Sequence, residues 1–314
     1  MASRRGLAID GVLLLDKPPG LSSNHALQRA RRILNARKAG HTGTLDPFAT
    51  GLMVLCFGEA TKFSGGMFEA DKSYRATLQF GAETDSGDCT GNVVAVGSPT
   101  GVPAADYPWL QEPERLRDVL SRFTGTISQV PPMYSALKRD GQPLYKYARQ
   151  GIELEREPRT ITIYGIELLG CDVERGQASI EVSCSKGTYI RTLAQDIGRA
   201  LGSGAHLTAL RRTSTAGFDL DQALTLEQLE SMSTPVEALH VADSLLADLP
   251  RHTLDAELAR RFSLGQTVPG VAVPTSEGRL RLYAPDEQFL GTARLDEGWL
   301  RPDRLMALHK ESST

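Results

Sequence analysis

The chain has 314 residues, with 35 Lys/Arg against 38 Asp/Glu for a net charge of −3, 40% hydrophobic and 23% charged residues. That balance excludes disordered, collagen-like and low-complexity chains, and the length suits about two domains that bury a core without a disulfide or metal staple. The longest uninterrupted apolar run, Leu52 to Phe57, is far short of the roughly 20 residues a spanning helix needs, and the four scattered cysteines form no C-x-x-C pair, so a cytoplasmic protein with reduced thiols and no metal site is expected.

Residues 1–9 read as a loose tail. Gly11–Asp16 reads as a buried strand stopped by Pro18-Pro19-Gly20. Ser22 or Ser23 is placed to cap a helix running to about Asn35, with Ala26, Leu27, Ala30, Ile33 and Leu34 as its apolar stripe. Leu52–Phe57 predicts a second buried strand. Lys72–Phe80 alternates, with Tyr74, Ala76, Leu78 and Phe80 on one face. Further strands are expected near 159–169 and 178–184, and a helix over Tyr189–Leu201 with Ile190, Leu193, Ala194, Ile197 and Leu201 inward. The stretches 81–108 and 125–143 read as long connections, which in compact domains are often functional. Beyond about residue 250 the pattern turns to short strands at Gly265-Gln266, Val271–Pro274, Arg279–Ala284 and Gly291–Arg294. Strands and helices that do not alternate strictly predict an α+β body, residues 1–250, on a mixed or antiparallel sheet, followed by a small β-rich module, residues 251–314.

Charge is unevenly spread. Residues 1–75 carry 11 Lys/Arg against 6 Asp/Glu, and Arg29, Arg31, Arg32, Arg37 and Lys38 follow one another with no acid between. Residues 185–215 add Lys186, Arg191, Arg199, Arg211 and Arg212 against Asp196 alone, whereas 219–260 hold nine acids against Arg251 and Arg260. Local basic zones on a near-neutral chain suggest a polyanion on one face.

No P-loop, dinucleotide fingerprint, H-E-x-x-H or zinc-deaminase signature is present, which leaves chemistry by side chains. Four segments could supply it. The densest is Gly40-His41-Thr42-Gly43-Thr44-Leu45-Asp46-Pro47-Phe48-Ala49-Thr50-Gly51. Its one carboxylate, Asp46, is biased out of helical geometry by Pro47 and could serve as nucleophile or base, or simply close an Asp-Pro turn. In Lys72-Ser73-Tyr74 the tyrosine is either a core ring or the floor of a base pocket. In Cys184 to Thr192, Arg191 stands in the first turn of a helix, against the dipole, which suggests a carboxylate partner or else a solvated side chain. In 131–151, Lys and Arg alternate with Tyr134, Tyr145 and Tyr147, a pattern that suits a nucleic-acid strand or a surface hairpin. A glycosidase-like small-molecule enzyme would need two flanking carboxylates, and only Asp46 stands in a suitable loop.

Taken together, GVLLLDKPPGLSS (11–23), GHTGTLDPFATGL (40–52), KSYRATLQFGAETDSGD (72–88), PPMYSALKRDGQPLYKYAR (131–149), CSKGTYIRTLAQDIGRALG (184–202) and GAHLTALRRT (204–213) resemble the TruB family of bacterial tRNA pseudouridine-55 synthases. They span about 200 residues in the family's order. The resemblance implies a pseudouridine synthase body with a PUA-type C-terminal module from about residue 251, a tRNA T-arm substrate, no cofactor and a monomer. It also implies assistance to tRNA folding. Carried over residue by residue, Asp46 matches the catalytic aspartate, Tyr74 the tyrosine stacked on the target base and Arg191 the arginine paired with the aspartate. Tyr189, Lys17 and His41 match active-site or substrate-positioning residues. Segment 131–151 matches the RNA-clasping loop, and the basic zones 29–38 and 185–212 would hold phosphates. Val54 and Phe80 depart from the family's usual proline and leucine.

Overall fold

The computed structural model describes residues 6–96, 107–275 and 277–307; residues 1–5 of the expected tail, 97–106 of the first connection and 308–314 of the expected C-terminal module lie outside the described residues. The body runs β1 (Gly11–Lys17), α1 (Ser23–Ile33), β2 (Ala39–His41), β3 (Thr50–Phe57), β4 (Lys72–Phe80), β5 (Ala82–Thr84), β6 (Val93–Val96), α2 (Pro108–Gln111), α3 (Pro113–Ser121) and β7 (Gly125–Gln129). It continues with β8 (Lys138–Arg139), β9 (Gln142–Pro143), α4 (Leu144–Ala148), β10 (Arg159–Asp172), β11 (Gln177–Cys184), α5 (Ile190–Ala200), β12 (Ala205–Thr215), β13 (Phe218–Asp219) and α6 (Leu226–Ser231). The C-terminal part holds β14 (Arg251–Thr253), α7 (Ala256–Ser263), β15 (Val268–Pro269), β16 (Gly278–Tyr283), β17 (Phe289–Asp296) and β18 (Trp299–Leu305).

Nine strands form one sheet in the order β1-β3-β12-β4-β11-β10-β7, with β2 added on β3 and β13 on β12. Every pairing is antiparallel except β12 with β3, so the sheet is mixed and the fold α+β. Period-2 alternation sorts the side chains. Leu13, Leu15, Met53, Leu55 and Phe57 face the core shared with α1 and α5, while Val12, Leu14, Leu52, Val54 and Cys56 face a second core closed by Phe63, Met67 and Leu245. β1 and β3 are therefore buried on both faces, which is why both read as continuous apolar runs. Farther along, β11 keeps Ala178, Ile180, Val182 and Cys184 inward and leaves the intervening residues half-buried. Val54 and Phe80 are both core residues, so the two departures are packing choices.

Residues 251–305 build a separate five-stranded sheet, β14-β16-β17-β18-β15, around Leu254, Phe262, Leu280, Leu282, Leu295 and Leu300. It docks on the body through Phe289 against Phe63, ring centroids 5.2 Å apart, and through the Tyr283 hydroxyl, which donates to Asp243 at 2.5 Å.

Three expectations need correction. Gly125–Gln129 is not connection but the edge strand β7, paired with β10. Gly265-Gln266 and Val271–Pro274 are not strands. The C-terminal module contains a helix, α7, capped by Asp255 Oδ1 accepting from Leu258 N at 2.8 Å, and a last strand, β18, neither of which was expected. Among the described residues no helix is long and apolar enough to cross a membrane.

Candidate active site

Asp46 lies in the turn between β2 and β3, and its neighbours are fastened on both sides. Ser23, in the first turn of α1, donates its hydroxyl to Leu45 O at 2.8 Å and accepts from Leu45 N at 2.7 Å. On the other flank Pro47 O accepts from Gly20 N at 2.8 Å and from Lys17 Nζ at 3.3 Å. The exit of the turn requires glycine. Gly51 has φ +100°, and a Cβ there would stand 2.3 Å from Arg212 O, a clash only a missing side chain avoids. These contacts hold the carboxylate at the wall of the cleft while it stays 35% exposed.

Arg191 answers the dipole argument directly. It enters from the first turn of α5, is 4% exposed, and brings Nε to 3.0 Å from Asp46 Oδ2. Nη1 donates to Ser86 O at 2.6 Å and Nη2 to Tyr134 O at 2.6 Å. A second carboxylate, Asp88, stands 3.8 Å from Nη1. The planar fork thus joins the Asp46 turn, the 85–91 turn and the 131–151 segment, a geometry a guanidinium supplies and an ammonium does not. Asp88 was missed in the sequence, and so was the second acid it puts at the cleft. Its Oδ1 accepts from Ser86 Oγ at 2.9 Å, Thr90 N at 2.9 Å and Thr90 Oγ1 at 2.5 Å. It shares one arginine with Asp46, and so does not flank a bond from the far side as a glycosidase pair does.

Burial raises the Asp46 pKa above its free value of 3.8, and Asp88 adds to the rise, against the lowering by Arg191 and Lys17. The arginine therefore offsets the desolvation only in part.

A cleft of about 830 Å³ opens in front of Asp46 and is lined by His41, Tyr74, Tyr134, Ser135, Tyr189 and Arg191 among others. Tyr74, on the inward face of β4, is buried against the Arg212 guanidinium, and burial pushes its phenol pKa up. Tyr189 caps α5, and Gln129 pins its peptide in both directions, accepting from Tyr189 N at 2.8 Å and donating to Tyr189 O at 3.1 Å. His41 is half-buried at the end of β2. Burial and the Arg212 charge lower its pKa from 6.5. Asp46, Tyr74, Arg191, Tyr189 and His41 thus meet at one hollow. Lys17 does not reach it. Its side chain is fully buried beneath the turn, where Nζ donates to Pro18 O at 2.9 Å, Leu21 O at 2.7 Å and Pro47 O at 3.3 Å. Burial lowers its pKa to about 8. Its amine is thus bonded to the backbone beneath the Asp46 turn and does not line the cleft.

The segment 131–151 forms a β8–β9 hairpin and the short helix α4, and sends Tyr134, Ser135, Tyr145 and Arg149 to the cleft. The basic zones divide. Arg32, Arg37 and Lys38 are exposed and, among the described residues, pair with no carboxylate. The second zone is spent internally: Arg211 pairs with Asp16 at 2.6 Å, Arg199 with Glu83 at 2.6 Å, Lys186 with Glu69, and Arg212 is buried on Leu52 O at 2.7 Å. Among the described residues that zone therefore offers fewer unpaired cations than its sequence suggests. Among the described residues no group of three or more His, Cys, Asp or Glu is placed to hold a metal ion.

One cleft thus brings together a carboxylate held by a buried arginine and a lining of tyrosines. Residues 31–190 match the TruB family pseudouridylate synthase N-terminal domain, residues 191–251 the tRNA pseudouridylate synthase B C-terminal domain, and residues 250–306 the C-terminal region of pseudouridine synthase II TruB. The chain is 66% identical to the tRNA pseudouridine synthase B of Bordetella pertussis over 249 residues, 79% of this chain and 98% of that one. It is 51% identical to the tRNA pseudouridine synthase B of Burkholderia mallei over 306 residues, 95% of this chain and 97% of that one. The fold matches a solved Cbf5-Nop10-Gar1 complex with a TM-score of 0.69 at 24% identity, covering 95% of this chain and 85% of that chain. This chain belongs to the TruB family of pseudouridylate synthases.

Proposed function

We propose that the protein isomerises a uridine in the T-loop of tRNA, at position 55, to pseudouridine. The reading is carried by the Asp46–Arg191 pair, 3.0 Å apart at the wall of a cleft that Tyr74 also lines. One N1–C1′ bond breaks and one C5–C1′ bond forms. The proton on C5 is lost and N1 gains one, so the reaction balances without oxidant or hydrolysis and asks only for acid–base and electrostatic help from side chains.

The target base is stacked inside a folded loop and has to be everted, at a cost of a few kcal/mol. Tyr74 recovers part of it as a ring against the base. Asp46 acts in its ionised form, either by bonding to C1′ or by removing the C2′ proton; both routes need the same carboxylate beside the sugar. Arg191 holds that carboxylate and lowers the cost of its charge. Tyr189 and His41 bound the hollow, and Lys17 keeps the Asp46 turn in place from below. The free cations Arg32, Arg37 and Lys38 lie at and beyond the far end of α1, whose first turn lines the cleft, so they suit backbone phosphates farther along the RNA. Residues 131–151 close over the RNA arm, and the separate sheet from residue 251 extends the RNA surface as a PUA-type module.

The test is Asp46→Asn. It removes the charge and leaves the turn's fastenings intact. Isomerisation of a tRNA transcript, read as tritium released from C5, is expected to vanish while tRNA binding stays within a few fold of wild type. Turnover at the wild-type rate would refute the assignment.

A further inference from the structure

Ser135 is 5% exposed, lines the cleft, and has a buried Oγ with no hydrogen-bond partner. Its backbone is not loose. Ser135 N donates to Met133 O at 2.9 Å, and Ser135 O accepts from Tyr145 N at 3.1 Å, so the residue is held between a buried methionine and the first turn of α4. The Tyr189 phenol stands close enough for the hydroxyl to bear on its titration, yet no hydrogen bond of acceptable geometry joins them. One residue earlier, Tyr134 O takes the Arg191 Nη2 bond at 2.6 Å. The orphan hydroxyl is therefore one peptide unit from the arginine that positions Asp46.

A buried hydroxyl without a partner is a cost to the fold, and one that faces a substrate cleft is explained when the substrate brings the partner. The choice of partner follows from charge. Two guanidinium groups line the cleft. Arg191 is committed to Asp46, Ser86 and Tyr134, and Arg149 lies over the Tyr145 ring at 5.3 Å. A phosphate would be drawn to the exposed Arg149, which pairs with no carboxylate among the described residues, whereas the buried Ser135 Oγ offers a single neutral donor. A neutral carbonyl needs only that one donor.

We propose that Ser135 Oγ donates a hydrogen bond to a carbonyl oxygen of the everted pyrimidine and so reads and orients the base during isomerisation. The inference rests on the uridine site argued above. It makes Ser135 a substrate-reading residue distinct from Asp46, and it gives the 131–151 segment a role at the reacting ring.

The test pairs Ser135→Ala with stem-loop RNAs that carry uridine, 2-thiouridine or 4-thiouridine at the target, the product being resolved as a nucleoside after digestion. Sulfur is a poor acceptor, so replacing the contacted oxygen removes the bond from the substrate side. Ser135→Ala is expected to lower kcat/KM on uridine about tenfold, the worth of one hydrogen bond. Wild type is expected to lose a similar factor on one of the two thio substrates, and the variant to lose nothing more on that same one. The thermal midpoint of the variant should equal or exceed that of wild type, because no protein–protein bond is removed. Wild-type kinetics on uridine would overturn the proposal. So would an equal loss on all three RNAs, or a lowered midpoint that accounts for the loss. Asp46→Asn run alongside separates the two readings: turnover in that variant defeats the site itself, whereas an inert Ser135→Ala beside a dead Asp46→Asn defeats only the base contact.

Discussion

Arg191 Nε sits 3.0 Å from Asp46 Oδ2 while both terminal nitrogens of the same guanidinium are taken by carbonyls, Ser86 O and Tyr134 O, each at 2.6 Å. The arginine is thus a three-way clamp rather than a simple counter-ion. Lysine in its place keeps the charge but cannot span all three acceptors from one nitrogen. Arg191→Lys should lower kcat on the order of 100-fold, about 2.7 kcal/mol of barrier. It should also lower the thermal midpoint, since two buried carbonyls lose a donor at about 1–3 kcal/mol each. Binding of tRNA, measured by filter retention, should change by no more than a few fold. A variant with wild-type kcat would show that the clamp is not needed.

The raised pKa of Asp46 fixes the acid side of the activity profile. In the proposed reaction only the ionised carboxylate acts, so log kcat should climb with unit slope through a midpoint above 3.8 and then level off. The stability of the fold moves the other way. A carboxyl whose folded pKa lies above its unfolded value contributes stability that is complete below 3.8 and is lost as pH rises through the folded value. Asp46→Asn should therefore melt no lower than wild type at pH 7, with the gap closing as the pH is lowered toward 4. A large loss of stability in the asparagine variant at pH 7 would contradict the direction of the shift.

Asp88 is one of the groups that drives Asp46 upward, through its like charge across the shared arginine. Asp88→Asn removes that charge and keeps a side chain able to accept from Thr90 and Ser86. The acid limb of kcat should shift to lower pH, and the plateau rate should fall because Arg191 loses one of its tethers. A pH–rate profile on both proteins checks the shift; an unmoved limb would mean the two acids do not communicate.

The elements that bury one face in strict alternation were legible from the chain: β4 with Tyr74, Ala76, Leu78 and Phe80 inward, and α5 with its apolar stripe. β7 was not, because an edge strand of five residues, GTISQ, followed by Val130 and then Pro131-Pro132 carries too few apolar positions to announce itself. α7 has only eight residues and one buried ring, Phe262, and its Asp255 cap resembles any turn aspartate. At the site, the need of Arg191 for an acid could be read from its place in a first turn, and Asp46 from its Pro neighbour. Asp88 could not, since it lies in a turn of Asp, Ser, Gly and Thr and reaches the centre only because β5 and β12 bring that turn against α5. The pairing of the second basic zone was not legible because sequence shows the sign of a charge and not its partner, and four of its five members face carboxylates in the fold, Arg191, Arg199, Arg211 and Lys186.

Lys17 offers the sharpest contrast between a positioning role and a substrate contact. Its fully buried amine donates to three carbonyls, one of them Pro47 O next to Asp46, at 3.3 Å. Lys17→Met keeps most of the stem's packing and removes all three bonds, so the Asp46 turn should slacken. A fall of about tenfold or more in kcat is expected, with KM for tRNA little changed, since misplacing a reacting group acts on the chemical step. The folded pKa of about 8 lies below the unfolded 10.5, so burial of the charged amine costs stability at neutral pH. That cost is relieved as pH rises from about 8 to 10.5, over which the unfolded chain still holds the proton that the folded one has released. Wild type should therefore gain stability relative to Lys17→Met across that window, measured as the difference in thermal midpoint at pH 7 and pH 9.5. A difference that stays flat, with KM rather than kcat altered, would return Lys17 to the substrate.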